Sequence, residues 1–200
     1  MAGLRIFPIF TSPLFTHGGF LRKVSLTLNG LDAVFITGNL IDSSKPVDSP
    51  ILSGLNMDAP VFFVSEDPDT YASDLTPISD TDLICIDQSV VEFKGVEIVD
   101  VGDSMSSIFY PSSPNALDFD LEEPLVLLHY LPVDWEYARE RSVDLQISGH
   151  TRGGQFYPFN LLVGLMFPCL SGLYGDPVGF FSISEGTGIW GAFSAYWIIM

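Results

Sequence analysis

The stretch that most narrows what this chain can fold into is residues 144–155, which read DLQISGHTRGGQ. A short apolar strand over 145–147 runs into a Ser-Gly-His turn and then a glycine pair. A strand ending this way presents His150 at the carboxyl end of a sheet, where α/β folds gather their ligands. The chain has only three histidines, so one in this setting is a candidate for chemistry. An isolated Gly-His-Thr is more often a turn histidine that hydrogen-bonds its neighbours. The rest of the chain has to decide between the two.

Other segments repeat the pattern of a short buried strand ending in a polar turn. Residues 4–10 read as a buried strand before the turn-rich TSPLFTHGG, and AVFIT at 33–37 reads as a second, ending at Gly38-Asn39. Between them Phe20, Leu21, Val24 and Leu28 recur at helical spacing, with Asn29-Gly30 as a stop. That is a βαβ unit and hence a parallel strand pair. Residues 61–64 form a third buried strand, ending at Ser65-Glu66-Asp67, with Ser-, Pro- and Asp-rich loops over 42–58 and 68–82. Short strands follow at 83–86, 90–93 and 96–101, the last two joined through Lys94-Gly95 as a hairpin. Residues 125–129 are a further buried strand. Residues 134–141 form a helix with Asp134 as N-cap and two arginines near its end. Apolar segments at 179–183 and 195–199 close the chain. No repeat or linker divides it, so a single domain over 1–200 is expected. Its strands suit two sheets packed face to face with helices outside. Four strand ends (Ser12-Pro13, Gly38-Asn39, Glu66-Asp67 and Gly149-His150) would then line one cleft.

Composition excludes several partners. Twenty-five acidic residues against eight basic ones give a net charge of −17, which repels nucleic acid and anionic lipid. With 47% hydrophobic and 16% charged residues and a mean hydropathy of +0.34, the chain has the apolar content to fold rather than stay disordered. Cys85 and Cys169 lie among apolar neighbours in no metal or redox spacing. They are expected as buried thiols in a reducing, cytoplasmic compartment. MAGLRIFPIF is too short and too proline-broken for a signal peptide or anchor. The most apolar run, 159–170, contains Asn160 and Pro168 and falls short of the ~20 residues of a spanning helix. No membrane-spanning segment is expected, only a sticky surface near that run that suits peripheral membrane association.

The strand tips, taken in order, resemble the calcineurin-like metallophosphoesterases, in the branch whose domain often follows membrane segments. The resemblance runs from Leu4 to Trp190 and is strongest in VDLQISGHTRGGQ with FYPFNLLVGLMFPCLSGLY and in SISEGTGIWG. AVFITGNLID (33–42) and QSVVEFKGVEIVDVGD (88–103) also match. It implies an α/β fold of two mixed β-sheets sandwiched between helices, an αββα arrangement. It also implies a two-metal site on the strand ends, whose cations, about 3.5–4 Å apart, activate water and stabilise phosphoryl transfer.

Measured against the family pattern, most ligands of that site are replaced. The Asp-x-His of the first strand aligns with Pro13 and Phe15. The bridging Asp of the second motif is Asn39. The Gly-Asn-His motif aligns with Glu66-Asp67-Pro68, so Asp67 stands for the ligand and Pro68 for the catalytic histidine. The mid-chain histidine aligns with Tyr130, one residue after His129. The final Gly-His-x-His keeps His150 and has Arg152 as its second position. The first metal loses its three unshared ligands. The second keeps Asn39, Asp67 and His150, with His129 available only if its strand shifts register, which would flip it to the other face.

Two readings follow. In the favoured one the cleft holds no metal and the chain is a catalytically inactive or strongly impaired relative, acting as a binding or scaffold protein. In the other, one divalent ion (manganese, zinc or iron) sits weakly on Asn39, Asp67 and His150 and supports weak phosphoester hydrolysis. Losing one catalytic group costs about 10²-fold or more in rate, and several are missing together. Arg152 could pair with a phosphate in place of the lost cation, or with one of the many acids nearby. The partner is then a phosphate-containing ligand or another protein, with nucleic acid disfavoured. His17 reads as a solvated turn residue. Ser12, Ser148 and Ser184 have no His-Asp arrangement around them. Asp118, Asp120, Glu122 and Glu123 form no calcium loop.

Overall fold

The computed structural model describes residues 6–9, 30–38, 58–64, 82–102, 122–154 and 157–186. The chain divides into two compact units, one of residues 1–85 with 186–200 and the other of residues 86–185. Among the described residues each contains one β-sheet, so the α/β class with two sheets is as expected. The expected helix over 20–28, the loops at 42–58 and 68–82 and the strand at 195–199 lie outside the described residues.

The first unit carries β1 (Ile6–Ile9), β2 (Ala33–Thr37), β3 (Val61–Val64) and β4 (Leu83–Cys85), side by side in that order. Among the described strands of this sheet every pairing is parallel. AVFIT and VFFV show no alternation of apolar and polar residues because both of their faces are covered, and all nine of these residues are buried. Phe35 and Phe62, opposite each other in the β2–β3 register, place their ring centroids 5.6 Å apart. At the end of β2, Gly38 takes φ +76 and donates to the Val64 carbonyl at 2.9 Å. The edge strand β4 is less covered. Cys85 on it is exposed and Cys169 in the second unit is half-buried, so neither is the buried thiol that its apolar neighbours suggested.

The second unit carries β5 (Val90–Glu92), β6 (Glu97–Asp100), β7 (Leu125–Leu128), helix α1 (Trp135–Arg139), β8 (Leu145–Ser148), a one-turn helix at Arg152–Gly154, helix α2 (Phe159–Met166), β9 (Gly172–Asp176) and β10 (Gly179–Ile183). Its sheet runs β5-β6-β7-β8-β10-β9, parallel from β6 through β10 and antiparallel at both ends. The β5–β6 hairpin turns through Lys94 (φ 54) and Gly95 (φ 73). Two successive positive φ values match the right-handed twist of the flanking strands, and Phe93 and Val96 exchange both backbone hydrogen bonds. Val99, Val101, Leu125, Leu127, Ala138 and Val143 make one buried cluster against which Trp135 and Tyr137 pack. Trp135 also stacks on Phe181, 5.7 Å between centroids.

Asp134 occupies the N-cap position of α1 but does not cap it. Its backbone is left-handed (φ 58, ψ 20) and its side chain makes no capping hydrogen bond, because that conformation turns it away from the first-turn N–H groups. Of the two arginines, Arg139 bridges Glu136 at 3.0 Å and Asp176 of the β9–β10 hairpin at 2.8 Å. Arg141 lies over the Tyr137 ring at 3.3 Å.

Candidate functional site

Because β6, β7, β8 and β10 run parallel, the residues that follow them gather along one edge of the sheet. The ladder continues past the strand ends: His129 N–H donates to Ile147 at 3.0 Å, Gly149 to Tyr130 at 3.1 Å and Ser184 to Ser148 at 2.9 Å. Gly149 N–H therefore fastens the turn after β8 to the turn after β7, with His150 and Tyr130 at the join. The Tyr130 hydroxyl and His150 Nδ1 lie 2.8 Å apart, within one hydrogen bond. The Tyr130 ring meets the imidazole edge-on at 4.9 Å and Phe167 does so at 5.4 Å. His150 is held between these two rings in a left-handed backbone conformation, φ 66, uncommon for a residue with a side chain.

Strand alternation separates His129 from this corner. Successive residues point to opposite faces, so Tyr130 meets His150 while His129 is 97% buried away from it. Burial pushes the His129 imidazole down to about 4, against the pull of Asp134 and the Gly102 backbone. The loop after β7 is tied to β8 by Gln146 Nε2 to the Val133 carbonyl (3.0 Å) and Ser148 Oγ to the Leu131 carbonyl (3.2 Å). Gln146 and Ser148 are two residues apart and share one face of β8.

Beyond Thr151 the backbone is left-handed again at Arg152 (φ 52), Gly153 (φ 60) and Gly154 (φ 79). Thr151, buried, hydrogen-bonds the Leu170 carbonyl through its hydroxyl. Arg152 is half-buried in this turn. A Cβ on Gly153 would come 3.2 Å from the Glu185 carboxyl, so an acid lies beside the turn that carries Arg152.

Asp100, at the end of β6, went unnoticed in the sequence; an acid closing the apolar run EIVD was its only signal. It is 6% exposed and accepts from the N–H groups of Gln88 (2.9 Å) and Gly102 (3.2 Å) through one oxygen. Burial raises its carboxyl to about 7 despite those bonds, and Asp87 adds to the rise. Folded, Asp100 binds its proton more tightly than unfolded. Its contribution to stability is therefore fully present below about pH 4 and lost as pH rises through about 7. His129 has the opposite sign: its contribution is present above about pH 6.5 and lost as pH falls through about 4. Asp100→Asn removes the first slope and leaves the second. Urea unfolding across pH 4–8 is expected to show the variant gaining ~2–4 kcal/mol on the parent as pH rises. Parallel curves for the two proteins would contradict it.

Of the sequence candidates, His150 and Arg152 share one turn, His129 faces away, and Asn39 and Asp67 lie outside the described residues. Tyr130, which the alignment of motifs gave only as a lost ligand, is the direct partner of His150. Among the described residues no three His, Cys, Asp or Glu side chains are grouped to hold a metal ion. Nδ1 of His150 faces the Tyr130 phenol, itself a poor ligand for zinc or manganese unless ionised, so a cation at this corner would take the other ring nitrogen, Nε2.

No family model matches the chain. A protein of Helicobacter pylori named an uncharacterised metallophosphoesterase is 34% identical over 174 residues, which make up 80% of this chain and 47% of that protein. The corresponding protein of a second strain is 31% identical over the same lengths, and one of Campylobacter jejuni is 28% identical over 191 residues, 88% of this chain and 50% of that one. The chain thus spans about half the length of the curated relatives it matches. Among solved structures, that of TT1561 of Thermus thermophilus matches 90% of this chain and 89% of its own, with a TM-score of 0.51 and 14% identity. At that identity the likeness speaks for the fold alone.

Proposed function

Since the chain belongs to the calcineurin-like metallophosphoesterase family, we propose that it is a member whose phosphoester chemistry is lost or strongly weakened and that it acts as a binding or scaffold protein. The observation behind this reading is the Tyr130–His150 hydrogen bond. It sets a neutral phenol beside the imidazole, where the resemblance places a second histidine. The turn around it is strained, with His150, Arg152 and two glycines at positive φ. Backbone strain of this kind persists where a fixed local geometry is of use. On this reading the domain spans 1–200, works in the cytoplasm, and uses Arg152 to meet a phosphate group or an acidic protein partner. Asn39 and Asp67 are the residues through which a residual single-metal hydrolase would have to work.

The test is manganese-stimulated cleavage of an aryl phosphate by the purified chain, beside its His150→Ala variant. The expected result is no turnover above buffer in either. Turnover by the parent that disappears in His150→Ala would replace the proposal with the weak-hydrolase reading.

A further inference from the structure

His150 has two ring nitrogens, and which of them carries the proton is set by the hydrogen bond that the other makes. Its Nδ1 lies 2.8 Å from the Tyr130 hydroxyl. Tyr130 is buried and His150 half-buried, so the phenol is the inner partner of the imidazole. The Tyr130 and Phe167 rings stand at 78° and 65° to the imidazole plane and keep Nδ1 turned toward the hydroxyl.

Two arrangements can fill this bond, because phenol and imidazole can each donate or accept. A phenol is a stronger acid than a neutral imidazole N–H, and an imidazole nitrogen is a stronger base than a phenol oxygen. The stronger bond is therefore the one in which the Tyr130 hydroxyl donates to Nδ1. Neutral His150 then carries its proton on Nε2. If the ring is protonated, both nitrogens are donors and the phenol accepts, so Nε2 again carries a hydrogen. In either state Nε2 seeks an acceptor, whereas a cation requires the bare nitrogen.

Arg152, two residues on in the same turn, is a second donor and stays charged at any working pH. It is the only Lys, Arg, Asp or Glu between Asp144 and Asp176. A guanidinium and an imidazole N–H match the oxygens of a phosphate. One carboxylate opposes such a ligand: a Cβ on Gly153 would stand 3.2 Å from the carboxyl of Glu185, which follows β10.

We propose that Tyr130 determines the specificity of this corner: by donating to Nδ1 it fixes His150 as an Nε2–H donor, and His150 with Arg152 forms a seat for a phosphate oxyanion rather than for a cation. The inference rests on the reading of the corner as a binding site and names the class of ligand it takes.

Long-range 1H–15N correlation of the histidine rings reads the tautomer in the purified chain, at about pH 8 where an ordinary imidazole is neutral. The expected result is an Nε2–H signature for His150 in the parent, assigned by its loss in His150→Ala. Tyr130→Phe keeps the ring and loses only the hydroxyl, and is expected to give a mixture of the two tautomers. An Nδ1–H signature in the parent, or the same single tautomer in both proteins, would overturn the proposal. Inorganic phosphate titrated into the same samples is expected to bind about tenfold more weakly to His150→Ala than to the parent and more tightly to Glu185→Gln. Equal binding by the parent and His150→Ala, or none by the parent, would also overturn it. The histidine signal involves neither metal nor turnover, so it fails separately from the proposed loss of phosphoester chemistry.

Discussion

Gly154→Ala is expected to lower the stability of the second unit by about 2–5 kcal/mol, combining a left-handed alanine with overpacking. Gly154 sits at φ 79, and a Cβ there would come 2.6 Å from the Cβ and 2.7 Å from the Cα of Asn160. The second of those atoms is backbone, so relief requires moving the start of α2. That helix carries Phe167 against His150, and its shift would loosen the histidine corner as well. Gly164→Ala is the control. Its Cβ would meet only a Leu170 methyl, at 3.9 Å, and an alanine inside a helix is worth about 0.5–1 kcal/mol over glycine. Urea unfolding should move the two midpoints in opposite directions; a shared shift would mean that the contact with Asn160 is not what holds Gly154.

Leu127→Ala is expected to cost about 2–5 kcal/mol, the range for an unrelaxed leucine cavity. Leu127 is fully buried on β7, between β6 and β8, in the cluster with Val99, Leu125 and Ala138. The same substitution at Leu165, 84% exposed, removes almost no burial and should leave the unfolding midpoint close to the parent's. The pair compares one chemical change in two environments, so a similar loss at both sites would contradict the burial described for α2.

What could be read from the sequence was what the hydrophobic pattern determines. AVFIT, VFFV and GFFSI are strands at the expected bounds, because unbroken β-branched and aromatic runs between turn residues have few other uses. The β5–β6 hairpin followed from Lys94-Gly95, and the parallel β7–β8 pair from the helix between its strands. Elements that break the usual pattern were not legible. Helix α2 turns its leucines outward, so its apolar run carried no amphipathic signal pointing to a core. β9, GLYGD, has two glycines in five residues and is exposed throughout, which is weak strand chemistry held in place by pairing with β10. The Asp134 cap failed because a good capping residue was identified without knowledge of its φ, and Cys85 because apolar neighbours in sequence do not cover an edge strand.

At the candidate site the alternation of β7 was enough to set His129 apart from Tyr130. The phenol–imidazole bond itself joins residues twenty apart and depends on the parallel β7–β8 register, which no local motif displays. Asp100 was invisible for a similar reason, since its burial comes from the loops around Gln88 and Gly102 rather than from its own strand.

On the proposed reading Tyr130 stands beside His150 where the family's pattern has a metal-binding histidine. Elemental analysis of the chain, purified from manganese- and zinc-supplemented cells, tests this most directly when set beside Tyr130→His. Substoichiometric metal is expected in the parent and a rise in bound metal in the variant, where a second imidazole replaces the phenol. One or more tightly held ions per parent chain, lost in His150→Ala, would contradict it.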